Sequence, residues 1–324
     1  MGWWTALELS RVLRKRDNIL KKIKINFVDF WPGFNKTNNY FFHLLSLKYE
    51  VLIDEKDPDI LFFSVDFQKN RERDRYLNHR SKKIFYTGEN IRPNFFFPGS
   101  VEQNNYSIGK CDFAFTFDFF NHPEHYRLPL WALYIDWFKK GGYENPKFLI
   151  DPNKIRANEF IDKPKDKFCC IMINNPETKR MKVFEKLSKY KKVDGYGRVF
   201  NRWSDGEYEK YKTISQYKFS ICFENSISPL GGYYTEKLLH AKTAGNIPLY
   251  WADKRVENDF NKNSFINLHD FQSMDDFIEY IVDIDKSEEK YKKIFNEPLF
   301  LENKIKDEFL PENVLKFFEE KILC

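Results

Sequence analysis

The sequence predicts an α/β protein with two doubly wound domains facing a cleft, each built on a parallel β-sheet. Short apolar runs typical of strands alternate along the chain with stretches whose apolar residues recur at helical spacing. This alternation favours parallel crossovers, and a Pro-, Lys- and Asp-rich stretch at residues 151–167 separates two such series. The length of 324 residues agrees with two domains, because single cores stop growing near ~250 residues.

Four strands and one helix are predicted in the first series. The strands are rich in β-branched and aromatic residues, are bounded by Asp, Pro, Gly or Asn, and lie at residues 23–30, 60–65, 83–87 and 113–117. Residues 40–47, between the first two strands, have the apolar spacing of a helix. This series predicts an N-terminal domain at residues 23–155, preceded by a basic and aromatic arm at residues 1–22.

The second series has a clearer alternation. Residues 168–173 are almost all apolar, as expected for a strand covered on both faces, and an amphipathic helix follows at residues 179–190. Later elements are strands at 219–223, 247–251 and 265–268, a helix starting at Thr235, and a helix at 274–284 with Ser273 and Asp276 in capping-box spacing. We predict a C-terminal domain at residues 156–300 and a C-terminal helix at residues 301–324.

Composition and charge exclude several classes of protein. With 42% hydrophobic and 18% aromatic residues, the chain can build real cores and is not intrinsically disordered. A net charge of +5 is too small for a dedicated nucleic-acid binder, so no nucleic-acid partner is expected, but it suits a pocket for an anion. Five cysteines without metal-type spacing indicate free thiols in a reducing compartment, which predicts a cytoplasmic protein.

The N-terminal arm leaves two interpretations open. It combines Trp3, Trp4 and Leu7 with a basic run at residues 11–16, a pattern that suits an amphipathic segment lying on a membrane surface. A helix packed on the body of the protein explains the same residues equally well. No apolar stretch reaches the ~18 residues needed to cross a bilayer, so any membrane association is expected to be peripheral, at the inner face.

The segment from Glu224 to Lys237 is the first candidate for a binding site. It leaves the carboxyl end of a predicted strand, where open α/β sheets bind ligands, and contains two glycines that let the backbone approach a ligand closely. The helix predicted to begin with Thr235 as its cap offers free N–H groups to an anion, and Lys237 adds a full charge. A diphosphate suits this site, although a glycine-bearing turn with an exposed lysine explains the residues equally well.

Two further residues are candidates for catalysis and anion binding. Glu89 follows the strand predicted at residues 83–87, a position at which a carboxylate can serve as a general base at the mouth of a cleft. Arg180, in the first turn after the strand at residues 168–173, has a planar fork that matches phosphate geometry. For each of them, a solvated surface side chain is the more common alternative.

Several motifs in order resemble glycosyltransferase family 10, the α1,3/4-fucosyltransferases, and most of all their bacterial, Helicobacter-like members. The C-terminal half contributes CFEN at residues 222–225, GYYTEK at 232–237 and NIPLYW at 246–251. The N-terminal half contributes FYTGEN at residues 85–90, RPNF at 92–95 and RLPL at 127–130. The sequence departs from the family at Ala252, where Gly is common, at His240, where Asp often stands, and in a longer loop at residues 226–231.

This resemblance implies a GT-B fold of two Rossmann-like domains and an inverting transfer of L-fucose. The donor would be GDP-β-L-fucose, and the acceptor the 3-OH or 4-OH of N-acetylglucosamine in N-acetyllactosamine or Lewis-type glycans, including those of lipopolysaccharide O-antigen. The N-terminal half would bind this oligosaccharide acceptor and the C-terminal half the donor. By motif position, Glu89 matches the general base, and the donor-site residues are Arg180, Asn225, Tyr233, Glu236 and Lys237.

No metal cofactor is expected to be required. The six histidines lack ligand spacing, no Asp-x-Asp triplet follows a predicted strand, and Arg180 and Lys237 would neutralise the pyrophosphate instead. Stimulation by Mn²⁺ stays open. Two alternatives remain: another sugar-nucleotide-dependent enzyme of the same architecture, either a hydrolase or a transferase with a different donor, and a non-enzymatic glycan-binding protein.

Overall fold

The structure, a computed structural model, describes residues 20–65, 71–90, 111–157, 164–202 and 207–324. The first 19 residues of the predicted arm and the RPNF motif at residues 92–95 lie outside these described residues. The chain divides into two compact units. The first unit contains residues 1–151 and 306–324, and the second unit contains Pro152–Ile305.

The first unit is built on a six-stranded parallel sheet with the strand order β2-β1-β3-β4-β5-β6. Its strands are β1 (Lys22–Val28), β2 (Glu50–Ile53), β3 (Ile60–Phe63), β4 (Lys82–Tyr86), β5 (Phe113–Thr116) and β6 (His125–Arg127). The four predicted strands are confirmed, with slightly different ends. The sequence did not predict β2 and β6, because these edge strands are partly exposed and carry charged or polar residues.

The described part of the first unit contains two α-helices from the N-terminal half of the chain and one α-helix from its C-terminal segment. Helix α1 (Tyr40–Leu45) begins after Asn39, whose side chain accepts a hydrogen bond from the Phe42 N–H, and α2 is a short helix at Leu130–Leu133. Near the C-terminus, α9 (Pro311–Phe317) continues into a π-helical turn at Phe318–Ile322. The Phe318 ring stacks on Phe115 of the sheet at 5.1 Å between ring centroids, so this segment belongs to the core of the first unit.

The second unit contains a five-stranded parallel sheet with the strand order β11-β10-β9-β7-β8. Its strands are β7 (Lys167–Met172), β8 (Val193–Tyr196), β9 (Tyr217–Ile221), β10 (Ile247–Tyr250) and β11 (Ile266–Asn267). The sequence did not predict β8, since Asp194 and Gly195 disfavour a strand and only tertiary packing supports it. In the interior strand β7, Cys169, Cys170 and Ile171 are fully buried, as its apolar run predicted.

Six described helices belong to the second unit. They are α3 (Pro152–Ala157), α4 (Thr178–Ser188), α5 (Glu207–Ile214), α6 (Lys237–Thr243), α7 (Met274–Lys286) and α8 (Glu288–Phe295). The predicted capping box of α7 is confirmed: Ser273 Oγ accepts from the Asp276 N–H at 3.1 Å, and Asp276 Oδ2 accepts from the Ser273 N–H at 3.0 Å. Both units therefore have the predicted parallel α/β architecture. Within the described part of the chain, every helix is too short or too polar to span a bilayer.

Candidate active site

The segment after β9 carries the first group of predicted site residues at the carboxyl edge of the second unit's sheet. The chain leaves the sheet through residues 222–225 and returns through Gly231 and Gly232, whose φ angles of 70° and 85° lie in the left-handed region that favours glycine. Ligands of parallel α/β sheets bind at this edge. The two glycines thus bring the TEK sequence at residues 235–237 back over the end of β9.

A buried carboxylate organises this segment. Glu224 has no exposed surface, and its Oε1 accepts hydrogen bonds from the Thr235 N–H at 2.8 Å and the Tyr250 hydroxyl at 2.6 Å. Its Oε2 accepts from the Thr235 hydroxyl at 2.9 Å and from Lys237 Nζ at 3.0 Å. Sequence analysis did not select Glu224 as a site residue, yet it joins the end of β9 to the start of α6.

Thr235 and Lys237 are therefore placed differently from the prediction. The N–H and hydroxyl of Thr235 are bound to Glu224, so Thr235 does not cap the helix. Helix α6 begins at Lys237, and Glu236 occupies the N-cap without a capping hydrogen bond from its side chain. The predicted helix is therefore confirmed, but its predicted cap is wrong, because the Thr235 hydroxyl donates to Glu224 instead of accepting from an N–H of the first helical turn. Lys237 is not a free surface lysine either: its side chain is 23% exposed and pairs with Glu224.

Arg180 is buried in the second unit, with only 2% of its surface exposed. Its Nε and Nη2 atoms donate to the Phe223 carbonyl at 3.1 and 2.6 Å, and Nη1 donates to the Asn175 carbonyl at 3.2 Å. Burial lowers the pKa of Arg180, while the nearby Glu224 and Glu177 carboxylates act in the opposite direction. A solvated helix face is thereby excluded for this residue. Most of its guanidinium N–H groups hold the loop after β9 in place.

Three predicted donor-site residues are connected to one another. Arg180 Nη2 donates to Asn225 Oδ1 at 2.6 Å, and Asn225 Nδ2 lies 3.5 Å from the Tyr233 hydroxyl. Tyr233 is itself buried. The structure thus brings Arg180, Asn225 and Tyr233 together, with the Glu224 carboxylate that pairs with Lys237 close to Arg180.

Glu236 lies among cations at the start of α6. Burial acts to raise its pKa, but Lys237 and Lys210 outweigh that effect, so the pKa of Glu236 is lowered and the side chain stays ionised. Lys210 on α5 lies 2.8 Å from Nδ1 of His240. Burial and the neighbouring lysines hold the pKa of His240 well below its ordinary value, which keeps the imidazole neutral. Lys210 is a second residue that sequence analysis missed, because α5 is distant from the motif along the chain.

Glu89 lies at the corresponding edge of the first unit's sheet, directly after β4. The Thr87 hydroxyl accepts from the Glu89 N–H at 3.0 Å and donates to the Glu89 carbonyl at 2.9 Å, which fixes the backbone of this turn. A Cβ atom on Gly88 would lie 2.7 Å from Leu130 Cβ, so only glycine fits there without displacement of α2. The half-buried Glu89 lines a cavity of about 430 Å³ within this unit.

Among the residues that the structure describes, no three His, Cys, Asp or Glu side chains converge as metal ligands would. Each unit has its own group of candidate residues at the carboxyl edge of its parallel sheet. One contains buried and partly buried cations with hydrogen-bonding side chains, and the other contains a carboxylate at a cavity. These features define the class: a doubly wound α/β protein whose second unit carries a group of cations at the carboxyl edge of its sheet.

Comparisons with known proteins identify the family. Residues 162–317 match the C-terminal model of glycosyltransferase family 10 (fucosyltransferase), and residues 25–134 match the N-terminal domain model of α-(1,3)-fucosyltransferase FucT. These two matches span most of the chain, which therefore belongs to glycosyltransferase family 10. The family that the motifs resemble is confirmed, and with it the GT-B class of fold.

Individual relatives are similar over different parts of the chain. α-(1,3)-Fucosyltransferase FucT of Helicobacter pylori is 29% identical over 272 residues, which cover 75% of this chain and 52% of that protein. The mouse 4-galactosyl-N-acetylglucosaminide 3-α-L-fucosyltransferase 9 is 37% identical over 152 residues, 44% of this chain and 40% of that one. This chain thus matches about half or less of these relatives' own length. A crystal structure of an α1,3-fucosyltransferase superposes with a TM-score of 0.72 and 26% identity, covering 96% of this chain and 93% of that one.

Proposed function

We propose that this protein is an inverting fucosyltransferase that moves L-fucose from GDP-β-L-fucose to the 3-OH of N-acetylglucosamine in an N-acetyllactosamine-type glycan. The observation that carries the proposal is the hydrogen-bonded group of Arg180, Asn225 and Tyr233 at the carboxyl edge of the second unit's sheet, together with Lys237, which is held by the buried Glu224 at the same edge. Family membership supports the fucosyl donor. The name of the mouse relative supports the acceptor and its 3-OH.

The donor half of the reaction depends on the cations of the second unit. As the bond between fucose C1 and the diphosphate oxygen breaks, negative charge builds on the leaving GDP. Lys237, Lys210 and the first-turn N–H groups of α6 would stabilise that charge more in the transition state than in the ground state. Because these groups are protein-borne, the proposed reaction requires no metal ion, and Mn²⁺ would at most stimulate it.

The acceptor half of the reaction depends on Glu89 in the first unit. As the acceptor O3 forms its bond to fucose C1 on the face opposite the leaving group, the Glu89 carboxylate would take the O3 proton. The C1–O bond to GDP breaks in the same displacement, which converts the β-linked donor into an α-linked product. We further propose that the reaction takes place in the cytoplasm, with the basic N-terminal arm resting on the inner face of the membrane.

The proposed activity predicts fucose transfer that depends on both substrates. Incubated with GDP-fucose and N-acetyllactosamine, the protein is expected to yield one equivalent each of fucosylated glycan and GDP, as measured by mass spectrometry and a GDP assay. Release of free fucose at the same rate without the acceptor would identify a hydrolase instead. Binding of the glycan without any GDP-fucose consumption would identify a glycan-binding protein.

Arg180 offers a test of the donor site through its hydrogen-bonding geometry. Replacing Arg180 by Lys keeps the charge but cannot reproduce the fork that spans the Phe223 carbonyl and Asn225, so the loop loses its anchor. GDP affinity is expected to fall by about 1.5–3 kcal/mol in calorimetry, together with the melting temperature. The exposed Lys182 on the same helix provides the control, since Lys182→Ala should change neither. Unchanged GDP affinity in Arg180→Lys would contradict the assignment.

A further inference from the structure

The cavity beside Glu89 has walls made largely of aromatic rings. Phe30 and Phe34 stack with ring centroids 4.2 Å apart, and Trp31 stands edge-on to Phe34 at 5.0 Å. Tyr40 and Tyr86 line the cavity from α1 and the end of β4. Among the described lining residues none is basic, and Glu89 contributes a carboxylate. The cavity is thus suited to a neutral ligand with an apolar part.

Four buried polar atoms of this wall have no hydrogen-bond partner among the residues that the structure describes. They are Nε1 of Trp31 and the hydroxyls of Tyr40, Tyr86 and Tyr143. Burial raises the pKa of each of the three phenols, so all three remain protonated and able to donate. Buried donors in native proteins are almost always satisfied, and four of them around one cavity indicate a ligand that supplies acceptors.

The combination of donors and aromatic walls selects the chemistry of that ligand. The indole N–H of Trp31 can only donate, so the ligand must present an acceptor oxygen there or at the phenols. The aromatic rings also favour a ligand with an apolar group, because burying that group against the rings removes its surface from water. An anion is disfavoured by Glu89 and by the lack of basic lining residues, and a plain hydroxyl brings no apolar part. An acetamido group carries both a strong carbonyl acceptor and a methyl.

The position of Glu89 connects this chemistry to the proposed reaction. Glu89 acts electrostatically on the Tyr86 hydroxyl. A Cβ atom on Gly88 would lie 3.0 Å from that hydroxyl, so the backbone next to Glu89 passes close to it. If Glu89 takes the proton from O3 of N-acetylglucosamine, the 2-acetamido group sits on the adjacent ring carbon. We propose that this cavity is the specificity pocket for the acceptor's 2-acetamido group, with the Tyr86 hydroxyl donating to its carbonyl oxygen. This inference rests on the proposed function for the identity of the acceptor.

The pocket is tested by comparing N-acetyllactosamine with lactose, which has a hydroxyl in place of the acetamido group. Wild-type protein should prefer N-acetyllactosamine in kcat/KM by at least about 10-fold, and Tyr86→Phe should lower that preference about 10-fold. Tyr291→Phe is the matched control, because Tyr291 is also a buried tyrosine whose hydroxyl has no partner among the described residues, but it belongs to α8 of the second unit. That variant should keep the wild-type preference. Equal use of the two sugars by wild type, or an unchanged preference in Tyr86→Phe, overturns the pocket.

A binding measurement separates failure of the pocket from failure of the proposed function. In saturation-transfer NMR with N-acetyllactosamine, the acetyl methyl should receive the strongest saturation, and Tyr86→Phe should weaken it selectively. Strong methyl saturation without any fucose transfer would leave the pocket standing and overturn the proposed activity. Transfer accompanied by weak methyl saturation would overturn the pocket and leave the activity standing.

Discussion

Replacing Glu89 by Gln is expected to lower fucose transfer by about 10²–10⁴-fold while leaving GDP affinity nearly unchanged. Gln has the same shape and can keep the turn that Thr87 fixes through backbone hydrogen bonds, but it cannot take the acceptor proton. GDP affinity should persist because the donor-site residues belong to the second unit. Steady-state kinetics gives the loss of turnover, and calorimetry with GDP gives the affinity.

The control for this substitution is Glu124→Gln in the same unit. Glu124 is exposed and lies just before β6, away from the residues that line the cavity, so its replacement should change neither quantity. Wild-type turnover in Glu89→Gln would remove Glu89 from the mechanism. A large loss of GDP affinity in that variant would show that the two units do not divide donor and acceptor as proposed.

Replacing Lys237 by Met is expected to weaken both folding and GDP binding. The Glu224 carboxylate would stay buried with only Thr235 and Tyr250 as donors, and breaking such a pair from one side costs about 3 kcal/mol or more. GDP affinity should fall by about 1.5–3 kcal/mol through loss of a charge-assisted contact. Urea denaturation and calorimetry with GDP measure the two losses separately.

A double variant, Glu224→Gln with Lys237→Met, distinguishes the two roles of the lysine. The neutral amide of Gln needs no buried cation, so stability should recover toward that of the wild type. GDP affinity should stay low, because the cation is still absent. Recovery of GDP affinity along with stability would show that Lys237 serves only the fold, and that the diphosphate is bound by other groups.

The strands were predictable where a local apolar run coincides with burial on both faces. The apolar run at residues 168–173 corresponds to β7, whose side chains are buried on both faces of the sheet. Strand β8 was not predictable, because Asp194 is held by the Tyr217 hydroxyl and Lys192, partners that no local pattern reveals. Thr235 shows the same dependence on distant residues. It does not cap α6, because it is hydrogen-bonded to the Glu224 carboxylate, eleven residues earlier in the chain.

The motifs predict a set of candidate site residues, but they do not predict the contacts that these residues make. The local sequence around Arg180 indicates a surface side chain or a phosphate ligand, although the spacing of Arg180 to Val183 and Leu187 places it on the buried face of α4. The role of Glu224 is not predictable, because the sequence does not show which hydrogen-bond donors will contact a carboxylate that follows a strand. The aromatic cavity was not predictable, since Trp31, Tyr86 and Tyr143 are separated along the sequence and meet only in the folded unit.

The return of residues 306–324 to the first unit makes the second unit an uninterrupted insertion within it. A gene fragment for residues 152–305 therefore encodes all the residues assigned here to the nucleotide, and can be exchanged between homologues at two junctions. A fragment ending at Asp151 would instead expose Phe115 and Tyr126, which Phe317 and Phe318 cover. Recombination that exchanges acceptor preference must accordingly transfer residues 306–324 together with the part of the first unit that precedes residue 152.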